Sequence, residues 1–128
     1  MLALVVDDSM LIRYTICRFL EGRGFSVESA TNGLEALDVL SRTQPDLIIT
    51  DMQMPKMSGS ELITALKSRP ETEKIPVIIV TGRASGFDES EKRANFAIFK
   101  DIDIESQLAK ALAAVLGPGA AKAVTAGK

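Results

Sequence analysis

The chain has 128 residues, 46% of them hydrophobic and 25% charged, which suggests a single domain large enough for a real core. Fifteen Lys and Arg against seventeen Asp and Glu leave a net charge of -2, and no basic face points to direct nucleic-acid binding. There is no histidine, which removes the commonest general base and metal ligand and means that this chain cannot carry a phosphohistidine. Apolar runs of five or six residues are too short to span a membrane, and no signal peptide follows Met1, so a cytoplasmic location is expected. Cys17 lies inside an apolar helical pattern. It reads as a small core residue in a reducing compartment rather than a nucleophile.

Taken in order, Leu2–Val6 form an apolar strand ending in Asp7-Asp8, with Ser9 as a helix N-cap. Leu11, Ile12, Thr15, Ile16, Phe19 and Leu20 recur at helical spacing until Gly22 and Gly24. Residues 25–30 read as a second strand, half polar and so at an edge, followed by a turn at residues 31–33. Leu34, Leu37 and Leu40 mark a second helix, stopped before Pro45. Leu47, Ile48 and Ile49 are apolar without alternation, the pattern of a buried parallel strand, and they run into Asp51. Pro55 and Gly59 break the chain there. A helix over 59–69 carries Leu62, Ile63 and Leu66, and Pro70 closes it. Residues 75–80 form a fourth strand, ending in Thr81-Gly82. Residues 88–93 are nearly all polar and predict a short, weak helix. Phe96–Phe99 form a fifth strand ended by Lys100. Ile104, Leu108, Leu112 and Val115 define a last helix, and residues 117–128 read as a flexible tail or linker after a domain of residues 1–116.

Strand and helix alternate five times, which predicts an α/β fold with right-handed crossovers and a parallel sheet covered on both faces. With a strand order of 2-1-3-4-5, the first and third strands are neighbours where the order reverses, and ligands bind at the carboxyl ends of strands there. Asp7, Asp8 and Asp51 then converge, with Thr81 and Lys100 beside them. Three carboxylates ~5 Å apart at an effective dielectric of ~20 repel by about 3 kcal/mol per pair. Either a positive group offsets this or one acid takes a proton. Lys100 supplies one charge, and a small carboxylate site with few ligands suits Mg2+. A carboxylate held beside Mg2+, a lysine and a hydroxyl can attack phosphorus and form an acyl phosphate. Gly82 would let a backbone N–H approach a phosphoryl oxygen.

Asp7-Asp8, Asp51 followed by Met54-Pro55 and Gly59, Thr81-Gly82 and Lys100 together resemble the receiver (CheY-like) domain of two-component response regulators, over about residues 2–116. The resemblance implies a flavodoxin-like (βα)5 three-layer sandwich. It implies that Asp51 is the phosphoacceptor, Asp8 a direct Mg2+ ligand and Asp7 the acid that holds a water on the metal. Gln53 would offer its backbone carbonyl to the metal. Lys100 would pair with the phosphoryl group, and Thr81 would supply the hydroxyl that moves toward it. The implied partners are a histidine kinase or phosphotransfer protein as donor, and a downstream target or fused output domain. Two positions depart from the family. Asp101 stands where proline usually follows the lysine, so a trans Lys100–Asp101 bond is expected, since a cis bond without proline costs about 3 kcal/mol. Ala97 stands where the family's switch usually has an aromatic, so the output is expected to run through residues 83–94, with Phe87 or Phe99 as partners of Thr81.

Other functions read from the same residues are a degenerate receiver that binds partners without phosphorylation, an aspartate-nucleophile phosphatase, and a flavodoxin-like cofactor binder. The phosphatase typically has a second acid two residues after the nucleophile, where this chain has Gln53. The acidic crevice does not suit a phosphate-bearing flavin unless a metal is present. A binding switch, not a metabolic enzyme, is the expectation.

Overall fold

The computed structural model describes residues 1–52, 54, 56–81, 96–100 and 103–116. Gln53, Pro55, Gly82, the 83–94 segment with Phe87, Asp101 with its bond to Lys100, and the 117–128 tail lie outside the described residues.

The elements run β1 (Leu2–Val6), α1 (Met10–Gly22), β2 (Ser26–Ala30), α2 (Gly33–Leu40), β3 (Leu47–Asp51), α3 (Gly59–Lys67), β4 (Val77–Thr81), β5 (Phe96–Phe99) and α4 (Ile104–Leu116). All neighbouring strands pair in parallel, in the order β2-β1-β3-β4-β5. The chain therefore has the expected flavodoxin-like topology, and the half-polar β2 lies at an edge.

Alternation along the strands divides the core in two. Ala3, Val5, Leu47, Ile49, Ile78, Val80 and Ile98 pack with Ile16 and Leu20 of α1 and Leu108, Ala111 and Leu112 of α4. Leu4, Val6, Ile48, Val77 and Ile79 pack with Ala36 and Val39 of α2 and Leu62, Ile63 and Leu66 of α3. β3 and β4 are buried along their whole length, as strands covered on both faces must be. Helix starts are set by side-chain caps. Ser9 accepts from the Ile12 N–H, Asn32 from Glu35, and Ser58 from Glu61 in a reciprocal capping box.

Several boundaries and phases differ from the sequence pattern. In α2 the buried stripe is Ala36 and Val39, with Leu37 and Leu40 at its margin, while Leu34 is 50% exposed. Small Ala36 lets the helix lie close to the sheet, so the leucines flank the contact instead of centring it. Leu11 is 71% exposed because it lies about 100° round α1 from Ile12, off the stripe of Ile12, Ile16 and Leu20. Phe25 belongs to the connection before β2, where its N–H donates to the Leu20 carbonyl. β4 starts at Val77 rather than residue 75 and includes Thr81. α3 ends at Lys67, capped by Ser68.

The loop from β3 into α3 is built by close backbone approach. The Gly59 N–H donates to the Met52 carbonyl at 2.9 Å. A Cβ on Gly59 would press into the Asp51 carbonyl oxygen and lie 2.9 Å from the Met52 Cα. Lys56, at φ 70, adopts the left-handed conformation that L side chains disfavour. Because the obstruction at Gly59 is backbone, Gly59→Ala should lower unfolding stability by roughly 2–3 kcal/mol in urea titrations, despite the better helix propensity of alanine.

Candidate functional site

Each described candidate residue sits where a strand ends. Val5 and Val6 pair with Ile49 and Thr50, which sets Asp7 beside Asp51 across the β1–β3 boundary. Asp51 pairs in register with Val80, and Thr81 with Phe99, the residue before Lys100. Sheet register alone therefore gathers residues from 19 to 93 positions apart. Carboxylate oxygens of Asp7, Asp8 and Asp51 all lie within 4.8 Å of one another. Asp7 and Asp51 are buried and Asp8 is exposed, so the cluster opens to solvent on one side. The Lys100 Nζ donates to Asp51 Oδ2 at 2.9 Å and lies 3.4 Å from Asp7 Oδ2. Thr81 is buried, and its carbonyl accepts the Lys100 N–H at 2.9 Å.

The β1–α1 turn is cross-linked by groups that sequence reasoning missed. The Ser9 N–H donates to Asp7 Oδ1 at 2.8 Å, and Arg13 Nη1 donates to the Asp7 carbonyl at 2.7 Å. Arg13 could have been suspected, as a cation one turn into a helix that follows two acids. The backbone donor at Ser9 has no sequence signature.

Asp7 Oδ2 is buried and accepts no hydrogen bond from the described residues, although its partner oxygen is satisfied. Burial pushes the Asp7 carboxyl up to about 6; the Ser9 N–H opposes the rise, the Asp51 charge adds to it and Lys100 opposes it. Burial by itself would lower the Lys100 ammonium, but the hydrogen bond to Asp51 and the charges of Asp7 and Asp51 raise it above the ordinary lysine value. Fully ionised, the three acids and one ammonium group carry a net charge of -2. A divalent cation matches that charge, and an underserved buried carboxylate oxygen offers it a ligand position. Asp7, Asp8 and Asp51 could thus hold a hard metal ion. Gln53 lies outside the described residues. Ala97 is half-buried against the α2–α3 side of the core, opposite Ile79 in register. Burial raises the Cys17 thiol, which suits packing rather than attack.

A doubly wound parallel sheet with charged groups gathered where its strand order reverses defines a flavodoxin-like α/β domain with a polar crevice at the strand ends. The family model of the response regulator receiver domain matches residues 3–113, and the chain belongs to that family. The phosphate regulon transcriptional regulatory protein PhoB of Rhizobium meliloti is 40% identical over 103 residues, covering 78% of this chain and 42% of that protein. The chemotaxis response regulator CheY4 of Vibrio cholerae superposes with a TM-score of 0.79 at 29% identity, covering 89% of this chain and 97% of that one. The receiver domain of the sensor histidine kinase PA1611 from Pseudomonas aeruginosa, with a magnesium ion coordinated in its active-site cleft, shares the fold at TM-score 0.81 and 21% identity, over 91% of this chain and 97% of that one. The chain spans less than half the length of the curated relatives it matches first. Among the described residues no helix is long and apolar enough to cross a membrane.

The Asp7 carboxyl, raised in the fold from 3.8 to about 6, binds its proton more tightly folded than unfolded. Ionising it therefore costs stability: nothing below pH 3.8, an increasing amount up to about pH 6, and the full amount above, on the order of 3 kcal/mol. In metal-free buffer Asp7→Asn should unfold at higher denaturant than the parent at neutral pH. Its stability should also lose most of the slope between about pH 4 and pH 6.5.

Proposed function

We propose that this receiver domain accepts a phosphoryl group on Asp51 from a phosphohistidine of a partner kinase or phosphotransfer protein, with Mg2+ bound by Asp8, Asp51 and the Gln53 carbonyl and held by Asp7 through a water. The observation that carries the reading is the 2.9 Å contact of Lys100 Nζ on Asp51 Oδ2 inside a crevice of three acids. An Asp51 oxygen attacks phosphorus, the phosphorus–nitrogen bond of the donor breaks, and the departing imidazole regains a proton. Bound Mg2+ would neutralise charge on the phosphoryl oxygens as they pass between donor and acceptor.

Lys100 orients the Asp51 carboxylate before transfer and is in reach of a phosphoryl oxygen afterwards. The Thr81 hydroxyl, at the end of the adjacent strand, supplies a further donor. Exposed Met10, Leu11 and Tyr14, on the helix that starts beside Asp8, offer a donor protein an apolar surface at the mouth of the crevice. The domain then acts as a cytoplasmic switch with slow self-catalysed transfer and hydrolysis, not as a metabolic enzyme. Its output face includes β5 and α4, which engage a downstream protein or a fused output domain.

Incubation with acetyl phosphate and Mg2+, read by intact mass, should add one phosphoryl group to the chain and none to Asp51→Asn. Stoichiometric labelling of that variant would overturn the assignment, and no labelling of the parent would favour a degenerate receiver. Lys100→Ala should still label, but with smaller amide shifts in α4 on phosphorylation than the parent.

A further inference from the structure

β5 is the outermost strand of the sheet, so every second residue along it turns its N–H and C=O away from β4. The Lys100 N–H points inward to the Thr81 carbonyl. Phe99, one residue earlier, therefore points outward. Both of its outward groups are met by one side chain. The Phe99 N–H donates to Gln107 Oε1 at 2.9 Å, and Gln107 Nε2 donates to the Phe99 carbonyl at 2.8 Å. A carboxamide has one acceptor and one donor arm, the same pair that a neighbouring strand would present. Gln107 Nε2 also reaches the Asp103 carbonyl at 3.2 Å. Exchanging the amide oxygen and nitrogen would set donor against donor and acceptor against acceptor, so the network admits a single orientation.

Gln107 lies in α4, next to Leu108, which is fully buried, and α4 is further anchored by Ala111 and Leu112. On the other side of Phe99 comes Lys100, whose ammonium sits 2.9 Å from Asp51 Oδ2 and 3.4 Å from Asp7 Oδ2. The path from acid to helix is short and made of directional bonds: Asp51, Lys100, the Phe99 peptide unit, Gln107. We propose that Gln107 is a positioning residue that clamps the end of β5 and carries the state of the Asp51–Lys100 pair into α4. A lysine that moves to follow a new charge at Asp51 shifts the peptide before it. That shift either pulls on the Gln107 carboxamide or breaks its two bonds. The clamp lies at the outer edge of the sheet, away from Ala97, whose side chain packs on the α2–α3 side. The link to signalling rests on the phosphoacceptor reading, but the clamp itself does not.

The test uses the full chain and two-dimensional amide NMR. Gln107→Leu keeps the side-chain size and helix propensity while deleting both bonds. In that variant the Phe99 amide should exchange roughly fivefold faster or more, as for a lost net hydrogen bond. Asp51→Asn then serves as a perturbation that removes the charge facing Lys100. In the parent it should shift the amides of Phe99, Lys100 and residues 104–112. In the Gln107→Leu background the shifts in 104–112 should vanish while those at Lys100 remain, a separation that general loosening would not produce. Gln107→Glu, whose carboxylate accepts from the Phe99 N–H but cannot donate to its carbonyl, should transmit an intermediate shift. It also decides the matter if the leucine variant does not fold. Equal α4 shifts in parent and variants, or unchanged Phe99 exchange, would overturn the clamp. Repeating the comparison after acetyl-phosphate treatment adds the signalling arm. If the parent never labels, the phosphoacceptor reading falls while the Asp51→Asn arm still judges Gln107.

Discussion

The structure depends on a balance of charge at the ends of β1, β3 and β5. Two buried carboxylates, Asp7 and Asp51, face one another with the Lys100 ammonium between them. Desolvated charges of this kind are costly unless paired, and one ammonium group does not serve both acids equally. It hydrogen-bonds Asp51 and leaves Asp7 Oδ2 short of a partner. Burial raises the Asp7 carboxyl, Lys100 offsets only part of that rise, and the oxygen left over is where a small, hard cation would gain most. Charge added at one acid would upset this sharing of Lys100, which is the basis of the switching proposed for the domain.

The rest of the fold holds those groups in place. Strands apolar on both faces are trapped between helix pairs, so their ends cannot slide in register without exposing a row of core residues. The turns leading away from the strand ends are tied down locally. Arg13 and the Ser9 N–H grip the Asp7 residue, and the Gly59 backbone rests against Asp51 and Met52. Lys56 in a left-handed conformation, a few residues from Asp51, shows that the loop's path is imposed by its surroundings rather than by local preference.

The proposed clamp would carry change at the acids through backbone, at the peptide between Phe99 and Lys100. Ala97 is small and already packed, so it offers no ring that could swing. β5 instead meets α4 through a carboxamide that pairs with the strand as another strand would. An edge strand fastened in this way is protected from pairing with a second chain, so the same contact serves stability as well as communication.

Much of this could be read without coordinates. Unbroken apolar runs identified β1, β3 and β4 as strands, and β3 as a buried parallel one. The recurrence of acids, a threonine and a lysine at strand ends identified the crevice, and the polar character of β2 marked an edge. These features are local, written in the period and punctuation of the chain. The phase of α2, the exposure of Leu11, the backbone donor at Ser9, the grip of Arg13 and the pairing of Gln107 with Phe99 were not legible. Each depends on how closely two elements approach and in what register, and no periodicity along the chain encodes that. Residue types thus determined which chemistry the domain can hold. Which carboxylate oxygen is satisfied, and which helix feels it, was decided only when the sheet closed and brought distant residues within hydrogen-bonding reach.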